Sequence, residues 1–432
     1  HKPSEYNVAL HEPDGKTLVN LITEAVLEVD SDHLAEVESV LETPDAHAGS
    51  EVFKTLLDLG FLVDACFDEL AFLKLRHAVA RVGSEVLGLS ILPTLRCNLR
   101  CVYCYEDHLD LDMDEETQSK LLAYVEKRLQ ANRGLSVSWF GGEPLLRVDM
   151  IRDLSKKLLG LCADNKASYE AQITTNGLLL THSIAKELRD LGVRFAQITL
   201  DGPQPIHDAR RTLPSGAGSY ARILSNVLEI ADLLSLRIRV NLDQETAHRT
   251  VELLDDLEPV RDKVSIGFYP VAPTRTACES GLECFSISEF APFHQGILRE
   301  AYDRGFQLVS GYALAATVYC GAYQLNTHAV DPRGDVFSCV EDVGHRDRRI
   351  GYLADTGSIE FLYPRLLPRA TWSPFEDEAC VACRVLPICM GGCLRRIEAG
   401  SKDRCFLKQG LEERLRFVIK ASKQKDRREV KT

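Results

Sequence analysis

Residues 86–104 read VLGLSILPTLRCNLRCVYC, an apolar run that breaks at Pro93 and leads straight into three cysteines. The run Val86–Leu92 has the length of a buried strand, bounded by a proline. The spacing Cys97-x3-Cys101-x2-Cys104 then puts three thiols on one short loop directly after it. Three thiolates can hold an iron–sulfur cluster by three of its four irons, which leaves the fourth iron open for a small molecule. Zinc competes for such a set, but a structural zinc site normally closes with four ligands. No fourth Cys or His is offered locally, and the spacing of His108 fits neither scheme well.

Outward from this loop the chain alternates in period. Strand patterns are expected at Val86–Leu92, Leu135–Phe140, Tyr169–Thr174, Arg194–Leu200, Arg237–Leu242 and Val264–Tyr269. Helical patterns fall at Glu115–Gln130, Val148–Cys162, Ser183–Leu191, Tyr220–Leu234, Val251–Leu257 and Ser288–Arg304. Six such βα units imply an α/β fold of parallel strands, helices outside, with chemistry at the strands' C-terminal ends. Those ends are polar. The second carries Gly141-Gly142-Glu143-Pro144, where glycines let a ligand approach the backbone and Glu143 offers an acceptor for an amine. The third carries Thr174-Thr175-Asn176-Gly177. The fourth carries Leu200-Asp201-Gly202-Pro203, then His207, Asp208 and Arg211. Each is turn-like alone; together they describe a polar pocket facing the cysteine loop.

The three-cysteine loop with Tyr103 before its last cysteine, the Gly-Gly-Glu-Pro run and the Leu-Asp-Gly-Pro…His-Asp segment resemble the radical S-adenosylmethionine (radical SAM) superfamily over roughly residues 84–305. The resemblance implies a partial (β/α)6 TIM-like barrel. It implies a [4Fe–4S] cluster on Cys97, Cys101 and Cys104, S-adenosylmethionine chelating the open iron, and a 5′-deoxyadenosyl radical that abstracts a substrate hydrogen. By the same resemblance Tyr103, Gly141, Gly142, Glu143, Thr175, Asn176, Asp201 and Arg211 bind the cofactor.

A second set of cysteines follows: Cys320, Cys339, Cys380, Cys383, Cys389, Cys393 and Cys405. Structural zinc is the alternative use. The spacing resembles the SPASM extension of radical SAM enzymes, which binds two auxiliary [4Fe–4S] clusters, three clusters in all. By analogy Cys380, Cys383, Cys389 and Cys405 close one, and Cys320, Cys339 and Cys393 serve the other. Seven thiolates fall one short of eight. Sulfatase-maturing relatives supply another cysteine soon after the first; here the residue six on from Cys320 is Asn326. The expectation is an auxiliary cluster with an open iron, or closure by Cys278 or Cys284. In those relatives a basic Asp follows the second cysteine; here Val340 does, with Glu341 and Asp342 next. Cys66 and Cys162 lie in helical patterns and read as buried thiols, and Cys278 and Cys284 as structural.

The 432 residues give a prior of about three domains. The expected boundaries are 1–82, 83–310 and 311–415, with a basic tail at 416–432. In the first segment, strands at Tyr6–His11, Lys16–Asn20 and Ala25–Val29, helices at Ser31–Leu41 and Glu51–Leu59, and a wing strand at Phe61–Val63 resemble a winged-helix module. This is the layout of the peptide-recognition element of enzymes that modify ribosomal peptides. A plain cap domain has the same pattern. Residues 1–80 hold five Lys and Arg against sixteen Asp and Glu, so −11 of the net −13 lies there. That is the opposite of a nucleic-acid footprint and suits a basic peptide partner. The tail reads as a frayed helix end. No apolar run of 18 residues or more indicates a membrane span. No export signal is visible, so a cytoplasmic setting is expected, with the 14 cysteines serving metal or redox chemistry rather than disulfides.

The function expected is oxidoreductase-type peptide maturation in the biosynthesis of ribosomally made peptides. S-adenosylmethionine is cleaved reductively and a carbon–carbon or thioether crosslink forms in a precursor peptide, with a flavodoxin or ferredoxin as electron donor. The alternatives are sulfatase-maturase-type side-chain oxidation, peptide epimerisation, and a non-catalytic iron–sulfur electron carrier or zinc scaffold.

Overall fold

The computed structural model describes residues 1–432 apart from 273–276, 278, 309–316, 402–403 and 430–432, with side chains to residue 422. Two compact units emerge, one of His1–Val82, Ser310–Cys320 and Trp372–Thr432, the other of Gly83–Val309 and Gly321–Thr371. Among the described residues no helix is long and apolar enough to cross a membrane.

The first unit opens with β1 (Lys2–Pro3), β2 (Asn7–Glu12), β3 (Gly15–Asn20) and β4 (Val26–Asp30), followed by α1 (Ser31–Glu42), α2 (Glu51–Asp58), β5 (Leu62–Val63) and α3 (Glu69–Val82). Strands β2, β3 and β4 form an antiparallel sheet in that order. Asp30 ends β4 and caps α1 by accepting from His33 N at 3.0 Å. The expected strands and helices of this segment are present, and β5 does not extend the sheet as a wing but pairs antiparallel with β1, with Phe61 and Leu62 in the helical core. The central strand β3 is covered on both faces. Leu18 packs with Val37, Val40, Phe53 and Leu56 of α1 and α2. Val19 faces the other way, into a core shared with Val8, Leu10, Leu73, Val385, Leu386 and Met390. The cysteine-rich segment of residues 380–390 is therefore the second covering layer of the N-terminal sheet. The expected buried Cys66 is instead exposed in a turn before α3.

The second unit contains β6 (Val86–Ile91), β7 (Arg100–Cys101), α4 (Glu115–Leu129), β8 (Gly134–Trp139), α5 (Val148–Asp164), β9 (Ser168–Thr175), α6 (His182–Asp190), β10 (Val193–Thr199), α7 (Gln204–Arg210), β11 (Arg211–Thr212), α8 (Tyr220–Ile230), β12 (Ser235–Leu242), α9 (Thr250–Leu257), β13 (Val264–Pro270), α10 (Ile287–Asp303) and β14 (Gln307–Leu308). The strands β6, β8, β9, β10, β12 and β13 lie side by side in chain order, all parallel. This is the six-stranded partial barrel, and each expected strand and helix is present to within a few residues. Asp114, Thr181 and Ser286 cap α4, α6 and α10. Cys162 is buried on α5, as expected. At the other edge β15 (Thr327–Val330) joins β6 in parallel and continues antiparallel through three short strands ending at Phe361.

The N-terminal ends of the strands are closed by Asn326, which is 5% exposed. Its amide nitrogen donates to the carbonyl of Val86 at 2.9 Å and to Asn132 Oδ1 at 2.7 Å, while its oxygen accepts from Arg128. His328 lies two residues on, on β15; burial first and then Arg128 push its pKa down to about 4. The folded imidazole is neutral, so the unfolded chain takes up the proton first as pH falls below about 6.5. This contribution is full above that pH and is lost as pH falls toward 4. Between pH 7 and 5, full-length His328→Asn protein should lose about 2 kcal/mol less stability than the unaltered chain in urea titrations. Equal losses would show that His328 is protonated in the fold.

Candidate active site

The cysteine loop leaves β6 and is pinned at both ends. Asp112 accepts from Thr94 Oγ1 at 2.6 Å and from Arg96 Nε and Nη2 at 2.9 and 2.6 Å, which closes the loop's base. Further along, β7 pairs antiparallel with β11, so Cys101 stands directly opposite Arg211. Cys97, Cys101 and Cys104 are all largely buried from water. Burial pushes the thiols of Cys97 and Cys104 up to about 12, and that of Cys101 upward as well. The negative charge of Cys101 raises both neighbours, so the three sulfurs lie within electrostatic reach of one another. A donor set of this kind ionises when a cation takes the protons' place.

The strand ends meet this loop. Gly141, at φ +124°, and Gly142 run against the carbonyls of Thr94 and Arg96, and a Cβ at either position would collide with them. Glu143 is fully buried. Its carboxylate accepts from Leu145 N at 3.0 Å, Thr175 Oγ1 at 2.7 Å and Asn176 N at 2.8 Å, joining the ends of β8 and β9. Burial raises its pKa against those donors and Arg211. Asn176 reaches onward, donating to Asn98 Oδ1 at 2.7 Å and toward Cys97 Sγ at 3.9 Å.

A second network surrounds Arg211. The Tyr103 phenol donates to Asp201 and accepts from Arg211 at 2.8 Å and from Asn241 at 3.3 Å. Asp201 Oδ1 also accepts from Asn241 N at 2.9 Å. Burial works against the charge of Arg211 but is outweighed by Cys101, Tyr103 and Asp201. His207 is buried and neutral, its pKa pushed down to about 2 by burial and Arg211. It accepts from Asp201 N at 3.3 Å and contacts Ser219 at 3.0 Å, fixing the turn after β10. Tyr103, Asp201 and Arg211 thus converge, as do Glu143, Thr175 and Asn176. Asn241 and Asn98 belong to the same site and were not anticipated from the sequence. Asn241 was legible only as a polar residue near the end of its strand.

In the other unit, Cys380 and Cys389 are raised to about 11, by burial first and then by neighbouring thiols that include Cys383 and Cys405. These four thiols lie within electrostatic reach of one another. Asp377 accepts from Ala379 N and Cys380 N at 3.0 and 3.2 Å and pairs with Arg404, the neighbour of Cys405. One ion pair thereby ties the two ends of the set. Tyr319 has its pKa raised to about 12, by burial first and then by Cys393, Cys389 and Cys320. Cys339 belongs to the barrel unit and raises Tyr105, after burial and together with Glu341 and Cys104 among others. Asp342 is buried and held by Arg348 at 3.2 Å and Arg369 at 2.6 Å. Cys284 is partly buried, while Cys278 lies outside the described residues. Among the described residues no three His, Cys, Asp or Glu side chains stand in a preformed metal cage. The residues nonetheless fit the implied groups. The thiols lie within electrostatic reach of one another, the glycine pair lets the end of β8 approach the backbone of the cysteine loop, and Arg211 Nε is buried with no hydrogen-bond partner.

Residues 91–257 match the Radical SAM superfamily. These residues carry a radical SAM domain. It is 23% identical to the serine-type anaerobic sulfatase-maturating enzyme of Klebsiella aerogenes, over 71% of this chain and 79% of that one. The fold is similar to that of anSMEcpe with bound AdoMet and Cp18Cys peptide, at a TM-score of 0.59 and 19% identity over 78% of this chain and 99% of that one. It is also similar to Streptococcus suis SuiB bound to S-adenosylmethionine, at a TM-score of 0.53 and 18% identity over 94% and 98%. The chain spans about half the length of most curated relatives it matches. The cysteine-rich C-terminal part is consistent with a SPASM extension.

Removing the Asp377 carboxylate should leave the barrel loop intact and loosen the Cys380 set. With one cubane on each of three cysteine groups, as the sequence resemblance implies, anaerobically reconstituted Asp377→Ala protein is expected to lose roughly four of about twelve irons per chain. Unchanged iron would separate the Asp377–Arg404 pair from cluster retention.

Proposed function

We propose that the chain reductively cleaves S-adenosylmethionine and crosslinks a ribosomally made precursor peptide, by a carbon–carbon or thioether bond. The observation that carries this reading is the three-thiol loop held opposite Arg211, beside a glycine cradle at the barrel mouth. Cys97, Cys101 and Cys104 would hold the cluster, and the Gly141–Gly142 backbone would line the cofactor. Thr175 and Asn176 would orient Glu143, and Arg211 would meet a carboxylate through its free Nε. The bound cluster and S-adenosylmethionine supply a radical that removes one hydrogen atom. Crosslinking removes a second hydrogen as a proton and an electron, and the auxiliary cysteines Cys320, Cys339, Cys380, Cys383, Cys389, Cys393 and Cys405 give that electron a destination. A flavodoxin or ferredoxin would supply the first electron. Such a donor fits a cytoplasmic setting.

A peptide substrate is favoured by the similarity to SuiB, solved bound to its precursor peptide SuiA at a TM-score of 0.51. The free edge of β4 in the N-terminal sheet offers a strand-addition site for a leader. The sulfatase-maturase alternative keeps support from the relative in Klebsiella aerogenes. Against it, Val340 follows Cys339, and Asp342 is locked in two ion pairs.

Reconstituted protein with dithionite and S-adenosylmethionine should release 5′-deoxyadenosine, and Cys97→Ala should lower that rate at least a hundredfold. No product from protein with an intact first cluster would overturn the enzyme reading. Formylglycine in a sulfatase peptide would favour the alternative.

A further inference from the structure

The concave face of the barrel sheet carries two arginines that the cofactor site does not use. Parallel pairing sets Gln197 beside Arg237 and Thr199 beside Arg239. It sets Arg237 beside Ser265 and Asn241 beside Tyr269. The alternate residues face the helices: Ile198 and Ile223 of α8 close on the same point beside Gly177. The arginines therefore line the inner wall, which is open to water, since Gln172 on the same face is exposed.

Both guanidinium groups lie over aromatic rings. Arg237 stands 4.7 Å from the Phe195 centroid and Arg239 stands 4.2 Å from that of Tyr269. Arg239 Nε donates to Asn241 Oδ1 at 2.8 Å, and Arg237 Nε is buried without a partner. Arg210 and Arg211 pair with Asp243 and Asp201. Among the described residues neither Arg237 nor Arg239 pairs with a carboxylate. Stacking fixes the plane of each guanidinium while leaving its outer nitrogens free to donate. Two cations two residues apart on one strand, roughly 6–7 Å, repel one another in a partly desolvated wall. A carboxylate between them removes that repulsion and satisfies the free donors.

We propose that this wall is the receptor for a carboxylate on the substrate, with Arg239 and Arg237 selecting a peptide that carries Asp or Glu beside the residue to be modified. This rests on the peptide-substrate reading above. Asn241 ties the two sites together, since it bonds both Arg239 and Tyr103. The acid then sits about two residues below the barrel rim. The same anion chemistry could come from the carboxylate of S-adenosylmethionine, and the test separates the two.

Full-length reconstituted protein is footprinted with phenylglyoxal, which modifies free guanidinium groups, and read by peptide mass spectrometry. The probes are an acetylated Gly-Ala-Glu-Ala-Gly amide, its Gln counterpart, and S-adenosylmethionine alone. The Glu peptide should slow modification of Arg237 and Arg239 at least fivefold, with little effect from the other two. In fluorescence titrations Arg239→Gln should erase the Glu-over-Gln preference, and Arg239→Lys should keep part of it. Equal protection by the Gln peptide, no protection, or equal protection by S-adenosylmethionine alone overturns the proposal. So does a preference that survives in both Arg237→Gln and Arg239→Gln. A protein that shows the preference but makes no 5′-deoxyadenosine fails the enzyme reading and leaves the acid receptor standing.

Discussion

One buried positive charge organises the barrel mouth. Arg211 stands opposite Cys101 on a two-residue antiparallel bridge and is 8% exposed. A guanidinium so far from water is tolerated only with partners around it. Those partners come from separate strand ends: Tyr103 from the cysteine loop, Asp201 from beyond β10, and through them Asn241 from β12. Solvating one cation thus aligns three connections that are distant in sequence. A cluster with its thiolates is an anionic group, and the charge that faces Cys101 is already in place before it binds.

Glu143 is the complementary case. Its sequence context marks it as an acceptor for a ligand amine, yet its carboxylate already receives Thr175, Asn176 and Leu145. What it does visibly is hold β8 to β9. The neighbouring glycines do the matching job for the cysteine loop, letting its Thr94 and Arg96 carbonyls approach where a Cβ would collide. The same division recurs at Asn326, where a resemblance in spacing points to a missing ligand. The side chain is spent instead on the carbonyl of Val86 and on Asn132 at the floor of the barrel.

The barrel was legible because its strands are short apolar runs with helical periodicity between them, and both periods survive tertiary packing. The cysteine loop was legible because spacing alone constrains three sulfurs. What escaped were residues whose role depends on register. Asn241 joins the site because β12 pairs with β13 and β10 at one setting. Alternation puts Arg237, Arg239 and Asn241 on one face, but which residues meet them across the sheet is set by pairing partners distant in the chain. Cys66 was misread because α3 begins only at Glu69, which leaves the thiol in the turn before the helix.

The placement of β3 bears on how the chain is made. One face of the strand is covered early, by α1 and α2, within the first sixty residues. The other face waits for Leu386, Met390 and Leu415, which leave the ribosome more than three hundred residues later. At typical synthesis rates that interval is tens of seconds, during which an apolar sheet face is uncovered while the barrel folds. The first sheet is therefore completed only when the C-terminal segment has been made. Truncation of the C-terminal segment is then read in the cell as a folding defect at the N-terminus, far along the chain from the cut.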